Sequence, residues 1–331
     1  MTPQEHPRAR IIIVLPVYNG GDYLPEQIDS ILAQTWSSWQ LICRDDGSTD
    51  ASATILADYQ RRHPDRITVL HDEDGNLGAA ASFSRLMEHA LARYAEAADT
   101  NDVIDSPVAD IDTDTAASTY VALADQDDVW CPDKLSTCLE ALQARERDRP
   151  GSPLLVHADL RVVDREGAVI APSFMAYQGL NPARKDFQSQ LSSNTVTGCT
   201  ALMNMPLLEQ ALPIPQEAMM HDWWLSLVAS AFGELIFIER PLVEYRQHGG
   251  NTIGAQRHEG WRWSWRLLAR LWRRRDPVSE ALLVASADQA AAFEARFAER
   301  LTPAQLRRIQ QVKQLPNWSL MRQRIWFHWL R

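Results

Sequence analysis

Along the first 130 residues, short apolar runs alternate with segments whose apolar positions recur every three or four residues. Residues 10–17, RIIIVLPV, are β-branched and show no polar alternation, the pattern of a strand covered on both faces. WQLICRDD, RITVLHD and YVALAD repeat it, and the first and last of these run into acids. YNGGDYLP reads as a turn before a helical pattern through Ile28, Ile31 and Leu32. GSTDAS reads as turn and helix start, with Asp50 as N-cap before ATILADYQRR. GNLGAA is a glycine turn ahead of the helical ASFSRLMEHALARY. Strand and helix in this alternation predict an α/β fold, a mostly parallel sheet flanked by crossover helices. Ligands in such sheets bind beyond the carboxyl ends of the strands, where Asp45, Asp46, Asn76 and Asp125 to Asp128 fall.

Residues 95–118 break the pattern with seven acids and no base, and read as a solvated acidic insertion, with a lid as the alternative. Beyond residue 150 the pattern is mixed. LLVHADLRVVD and GAVIA read as strands around a turn, and LSSNTVTGCTALMN as a further strand pair. PLLEQAL and MMHDWWLSLVASAF read as helices, and GELIFIERPLVEYRQHG as strands meeting at Pro241. From residue 255 the chain is helical in pattern.

Composition narrows the class. The chain has 331 residues, 45% of them apolar and 23% charged, as in ordinary folded proteins. It holds no apolar run of about 18 residues, so the pattern predicts no spanning helix. Basic residues precede RIIIVLPV as in a signal peptide, yet the run is short and stops at Pro16, so a strand is the better reading. Four cysteines without a CxxC pair fit reduced thiols and a cytoplasmic setting. The net charge of −10 hides a split: residues 257–331 carry 15 Lys and Arg against 6 Asp and Glu, with seven of the twelve tryptophans. The acidic body argues against nucleic acid as a partner.

The stretch ALADQDDVW sets Asp125, Asp127 and Asp128 within four positions behind an apolar strand. Such carboxylates repel unless a cation joins them. Mg²⁺ typically takes one or two carboxylates and completes its shell with water and phosphate oxygens. A solvated loop is the plain alternative, weakened by the strand before the acids and the VWCPDKL segment after them.

VLPVYNG, RDDGSTD, GNLGAA, ADQDDVW, HDWW and YRQHGGN occur in that order over about residues 10–255. Together they resemble glycosyltransferase family 2, and the ADQDDVW form is similar to bacterial rhamnosyltransferases that build surface polysaccharides. The resemblance implies the Rossmann-like GT-A fold over residues 1–254, followed by a helical, Trp-rich extension over 255–331. It implies inverting transfer from a nucleotide sugar, dTDP-rhamnose or a UDP-hexose. The acceptor it implies is a glycan or lipid-linked glycan of the O-antigen, capsule or lipooligosaccharide type.

Carried onto matching positions, the donor is held by Pro16, Val17, Tyr18, Asn19, Asp45 (or Asp46), Asn76, Gly78 and Asp125, with a role for Gln126 in donor choice left open. Asp127 and His248 match ligands of a divalent cation, Mn²⁺ or Mg²⁺, and Asp128 reads as structural. His248 is otherwise a surface histidine, and Arg246 either a phosphate partner or half of a salt bridge. Asp222 matches the catalytic base, with helix capping as its plain role. Gly198, Cys199 and Trp223 match the acceptor side, which otherwise reads as a packed strand.

In WRWSWRLLARLWRRR, Trp261, Trp265, Leu268 and Trp272 share one helical face and Arg262, Arg266, Arg270 and Arg273 the other. That suits a helix lying on an anionic membrane, which would place the protein peripherally on the inner face of the cytoplasmic membrane. Packing on the body or in a dimer is the alternative, and the sequence leaves the oligomeric state open. A different class of reading is a catalytically silent nucleotide-sugar-binding or membrane-anchored scaffold protein. A nucleotidyltransferase is disfavoured, because no GxGTR-like loop follows the first strand.

Overall fold

The computed structural model describes residues 9–99, 118–248, 277–319 and 322–323. The four apolar runs are strands: β1 (Arg10–Val17), β2 (Trp39–Asp45), β3 (Ile67–Leu70) and β4 (Thr119–Leu123). They pair in parallel in the order β3-β2-β1-β4. The crossovers are α1 (Leu24–Leu32), α2 (Ser52–Arg62) and α3 (Ala79–Asp99). Alternation along β1 explains its unbroken apolar character. Ile11, Ile13 and Leu15 enter one core with α1 and α2, while Ile12 and Val14 enter a second core with α3.

The rest of the sheet is mixed. The chain continues through β5 (Val129–Trp130), α4 (Lys134–Asp148), β6 (Leu154–Val163), β7 (Val169–Ala171), α5 (Phe174–Gln178) and α6 (Phe187–Gln190). It then forms β8 (Leu202–Asn204), α7 (Met205–Ala211), α8 (His221–Phe232) and β9 (Glu234–Arg246). The order extends as β4-β8-β6-β9-β5, with β8 antiparallel to both neighbours, β9 parallel to β6, and β7 paired with β6.

Three local expectations change. The segment around Gly198 forms one strand, not two. Thr200 N–H donates to Thr197 and Ala201 N–H to Gly198, closing a 3₁₀ turn before β8. The two strands expected to meet at Pro241 are one thirteen-residue strand, and the missing proline N–H falls where the β6–β9 register shifts at Asp159. Helix α3 runs to Asp99, into the segment expected as an acidic loop, and residues 100–117 lie outside the described residues.

The C-terminal helices α9 (Pro277–Phe297) and α10 (Pro303–Gln314) pack on the body. Phe293 and Phe297 of α9 join Trp224 of α8 in one core, with Phe293 5.4 Å from Trp224 and 5.2 Å from Phe187 between ring centroids. Ile309 and Val312 of α10 enter the same core. The Trp/Arg segment 261–275, and with it the expected membrane face, lies outside the described residues. No helix among the described residues is long and apolar enough to cross a membrane.

Candidate active site

Register sets Val17 level with Asp45, and Val14 level with Leu123 at the end of β4. The turns that follow β1, β2 and β4 therefore open on one rim. Hydrogen bonds between distant residues lock them together. Gln126 accepts from Tyr18 N–H at 2.7 Å and donates to Tyr18 C=O at 2.9 Å. Gly20 lies beneath this amide, where a Cβ would approach the Gln126 side chain to 2.6 Å. Gln126 thus fixes the turn after β1 and the position of Tyr18. That ring is 49% exposed on the rim. Asn19 takes a positive φ of 49°, and its side chain accepts from Thr49 N–H at 2.8 Å. Asp50 caps less directly than expected: α2 starts at Ser52, whose N–H it binds at 2.9 Å, while its other oxygen accepts from Gly21 N–H.

The two acids closing β2 divide their work. Asp45 accepts from Ser48 N–H through one oxygen, while the other is buried without a partner. An open groove of about 640 Å³ between α2 and β3 reaches Asp45, with Ala57, Val69 and His71 also on its walls. Asp46 turns inward. It pairs with Arg44 and accepts from Leu77 and Gly78 N–H, each at 2.8 Å. Asp46 therefore holds the GNLG turn, in which Gly78 has φ +78° and Asn76 packs on Gly47.

The acidic turn after β4 also splits. Asp127 Oδ2 lies 2.6 Å from His248 Nε2, a contact spanning 121 positions, and His248 stacks on Tyr23 at 4.7 Å. Arg246 is committed to structure: it donates to the Asp127 and Arg165 carbonyls and pairs with Glu26 at 2.5 Å. Asp128 is 1% exposed; one oxygen accepts from Arg246 N–H at 3.4 Å and the other has no hydrogen-bond partner. Donor atoms of Asp125, Asp128 and Cys199 lie within 4.8 Å of one another. Burial, with Asp127 and Asp222 nearby, pushes the Asp125 carboxyl up to about 7. Burial and the same crowding hold Asp128 well above its ordinary range.

These residues fit a hard divalent cation. The Asp127–His248 pair offers a carboxylate and an imidazole at contact distance, with the Asp125 and Asp128 carboxyls close by. Cys199 does not fit as a ligand. It is fully buried, and burial next to Asp128 and Asp125 keeps its thiol protonated. The expected acceptor-side residue therefore faces the acids, not an open surface.

Asp222 sits in the first turn of α8, but Met220 holds the capping position. Its Oδ2 accepts from Gly198 N–H at 3.0 Å, and its Oδ1 is buried without a partner. Burial pushes its carboxyl up to about 6, against the pull of the Trp223 and Gly198 amides. His221 stacks on Phe83 at 3.9 Å, and burial lowers it to about 3, which makes its imidazole a weak proton acceptor. Trp223 donates to Gln190 C=O at 2.6 Å, which fixes its indole beside α6. Sequence reasoning missed Tyr23, which stacks on His248, and the buried Lys134, which lies against the Trp130 ring. A lysine opening a helix, where cations are disfavoured, was the signal for the second.

The family model for glycosyl transferase family 2 matches residues 12–103, which span β1, β2 and β3 with their crossovers. The chain is 25% identical over 257 residues to the putative teichuronic acid biosynthesis glycosyltransferase TuaG of Bacillus subtilis, covering 77% of this chain and 85% of the relative. It is 23% identical over 252 residues to the dTDP-rhamnosyl transferase RfbG of Shigella flexneri, covering 73% and 74%. The chain is similar to glycosyltransferase family 2 over residues 12–103, and the relatives it matches over most of its length are named as glycosyltransferases.

Its fold matches the structure of S. aureus TarS 1-349 in complex with UDP-GlcNAc, with a TM-score of 0.53 at 11% identity, over 85% of this chain and 66% of that one. The likeness is one of fold, GT-A with C-terminal helices. Within this transferase, Gly198 is the residue on which Asp222 rests. A Cβ there would stand 2.8 Å from His221 Nε2 and 3.5 Å from Asp222 Cβ. His221 is held by Phe83, so α8 must shift. Gly198→Ala is expected to cost about 1–3 kcal/mol of stability and roughly tenfold or more in kcat. Steady-state kinetics beside a thermal melt checks this, and a variant with wild-type kcat would sink it.

Proposed function

We propose that this transferase moves a sugar, with inversion, from a nucleotide-activated donor to a hydroxyl of a bacterial surface glycan. The observation that carries the reading is Asp222. A buried carboxylate with one free oxygen, raised to about 6, stands within electrostatic reach of Asp125 across the sheet's carboxyl rim. It takes the acceptor hydroxyl's proton as that oxygen attacks the anomeric carbon, while the diphosphate leaves on the opposite side.

Asp127 and His248 would hold a divalent cation, Mn²⁺ or Mg²⁺, which when bound neutralises charge on the leaving diphosphate. The free oxygen of Asp45 and the exposed ring of Tyr18 suit the nucleotide base, and Asp125 the ribose. The name of the Shigella relative supports dTDP-rhamnose as donor, and that of the Bacillus relative a polysaccharide as product; a UDP-hexose donor and an acceptor of the O-antigen, capsule or lipooligosaccharide type rest on the family resemblance. The proposal keeps residues 1–254 as the transferase unit. It keeps the basic, Trp-rich segment 261–275 as a contact with an anionic membrane that carries a lipid-linked acceptor.

Thermal melts with a panel of nucleotide sugars, with and without Mn²⁺, test the donor. A ligand at 100 times its Kd stabilises the native state by about 2.7 kcal/mol, a shift of several degrees. dTDP-rhamnose or a UDP-hexose is expected to give it. If no nucleotide sugar shifts the melt, the reading is lost; a shift without turnover would favour the silent binder.

A further inference from the structure

Tyr23, just before α1, touches three segments that meet at the candidate cation site. Its N–H donates to Gly20 C=O at 3.0 Å, inside the turn that Gln126 clamps, and its carbonyl accepts from Gln27 N–H at 3.2 Å. Its ring stacks on the His248 imidazole, with 4.7 Å between centroids and 29° between planes. The Arg246 guanidinium lies 5.2 Å from the same ring, and the Tyr23 hydroxyl accepts from Arg165 Nε at 3.4 Å. Backbone, ring and hydroxyl thus tie the turn after β1 to the end of β9 and to the β6–β7 turn. His248 stands two residues past β9 with 11% of its side chain exposed, and its Nε2 meets Asp127 Oδ2 at 2.6 Å. A contact at one nitrogen fixes a point, whereas a stacked ring fixes the plane of the imidazole.

We propose that Tyr23 is a positioning residue for the cation pair: its ring holds the His248 imidazole in the plane that lets Nε2 and Asp127 Oδ2 serve one divalent cation. The inference rests on reading Asp127 and His248 as cation ligands. Groups around a metal ligand fix its orientation, and losing one weakens metal binding by roughly tenfold or more. Because Tyr23 is bonded to Gly20, the same ring joins the cation pair to the turn that carries Tyr18.

The full chain, with Y23F, Y23L and H248A, provides the test through two readouts. The first is Mn²⁺ affinity by titration calorimetry, at a temperature where thermal melts show each variant folded. Y23F keeps the ring and loses only the long hydrogen bond from Arg165, so it is expected to bind within about twofold of wild type. Y23L is expected to bind on the order of tenfold more weakly. H248A sets the floor, because Tyr23 acts through the imidazole. The second readout needs no metal. The His248 ring resonances, assigned by their loss in H248A, are expected to shift in Y23L and to stay near their wild-type positions in Y23F. Filling of space alone would not be rescued by phenylalanine in both readouts. Y23L that binds Mn²⁺ like wild type, Y23L that binds more weakly than H248A, or His248 resonances unmoved by Y23L overturns the proposal. If Y23L does not fold, Y23M, which fills the gap with a flexible chain and no ring, takes its place. If the wild type binds no Mn²⁺, the cation reading of Asp127 and His248 fails, while the resonances still decide whether Tyr23 sets the imidazole.

Discussion

Asp222→Asn is expected to lower kcat by roughly 10²–10⁴, the range that a positioned general base contributes, and to leave donor binding nearly unchanged. An amide keeps the acceptor oxygen for Gly198 N–H and the shape of the first turn of α8, and it removes only the proton-accepting charge. The pH dependence carries the finer test. With the carboxyl raised to about 6, the wild-type kcat is expected to rise through pH 6 and then level, because the ionised form is the base. In D222N that limb should vanish.

Stability moves the other way. A carboxyl raised in the folded state contributes stability that is present below its unfolded value of 3.8 and is lost as pH climbs through about 6. D222N should therefore gain stability relative to wild type across pH 4–6, on the order of 1–3 kcal/mol. An inactive yet more stable protein would separate loss of the base from loss of the fold. Turnover that survives in D222N would remove Asp222 from the chemistry.

What the sequence disclosed about this site depended on the range of the interactions. Strands β1, β2 and β4 were legible because both faces of each are covered, so their apolar runs carry no helical period. The acids at their ends followed from the parallel order. The Gln126–Tyr18 clamp, spanning 108 positions, and the Asp127–His248 contact, spanning 121, were not legible from spacing, since only the folded sheet brings those turns together. The family resemblance named Asp127 and His248 as a pair without saying that they touch. Cys199 was expected toward the acceptor, yet the 3₁₀ turn at Gly198 points it into the acids. Periodicity likewise gave helices after residue 255. It did not show that Phe293 and Phe297 share a core with Trp224, because an aromatic stripe at helical spacing fits a membrane, a partner or the chain's own body.

Arg44 is the residue whose loss should harm the fold most, and a charged side chain inside the buried strand WQLICRD was its visible mark. The guanidinium is 1% exposed, and each of its five N–H groups has an acceptor. Nε and Nη2 grip both oxygens of Asp72 at 2.8 and 2.9 Å. Nη1 serves Asp46 and Ser82, and Nη2 also reaches the Gly75 carbonyl at 2.8 Å. Asp72 is held below the usual carboxylate range by this contact, so its share of stability persists at neutral pH and falls away as pH drops through that lowered value. Arg44→Met leaves two carboxylates at a nearly dry site without their cation, and removing one partner of such a pair costs about 3–5 kcal/mol. Arg44→Lys keeps the charge but offers three donors in place of a planar fork, and is expected to recover only part of the loss. Because Asp46 also holds Leu77 and Gly78 N–H, the GNLG turn should loosen with it, and the donor KM should rise by more than kcat falls. Urea denaturation of both variants, with donor kinetics at a temperature where each remains folded, measures the two effects. A loss below about 1 kcal/mol for Arg44→Met, in the range of an exposed pair, would show that water reaches the cluster and that the turn stands without it.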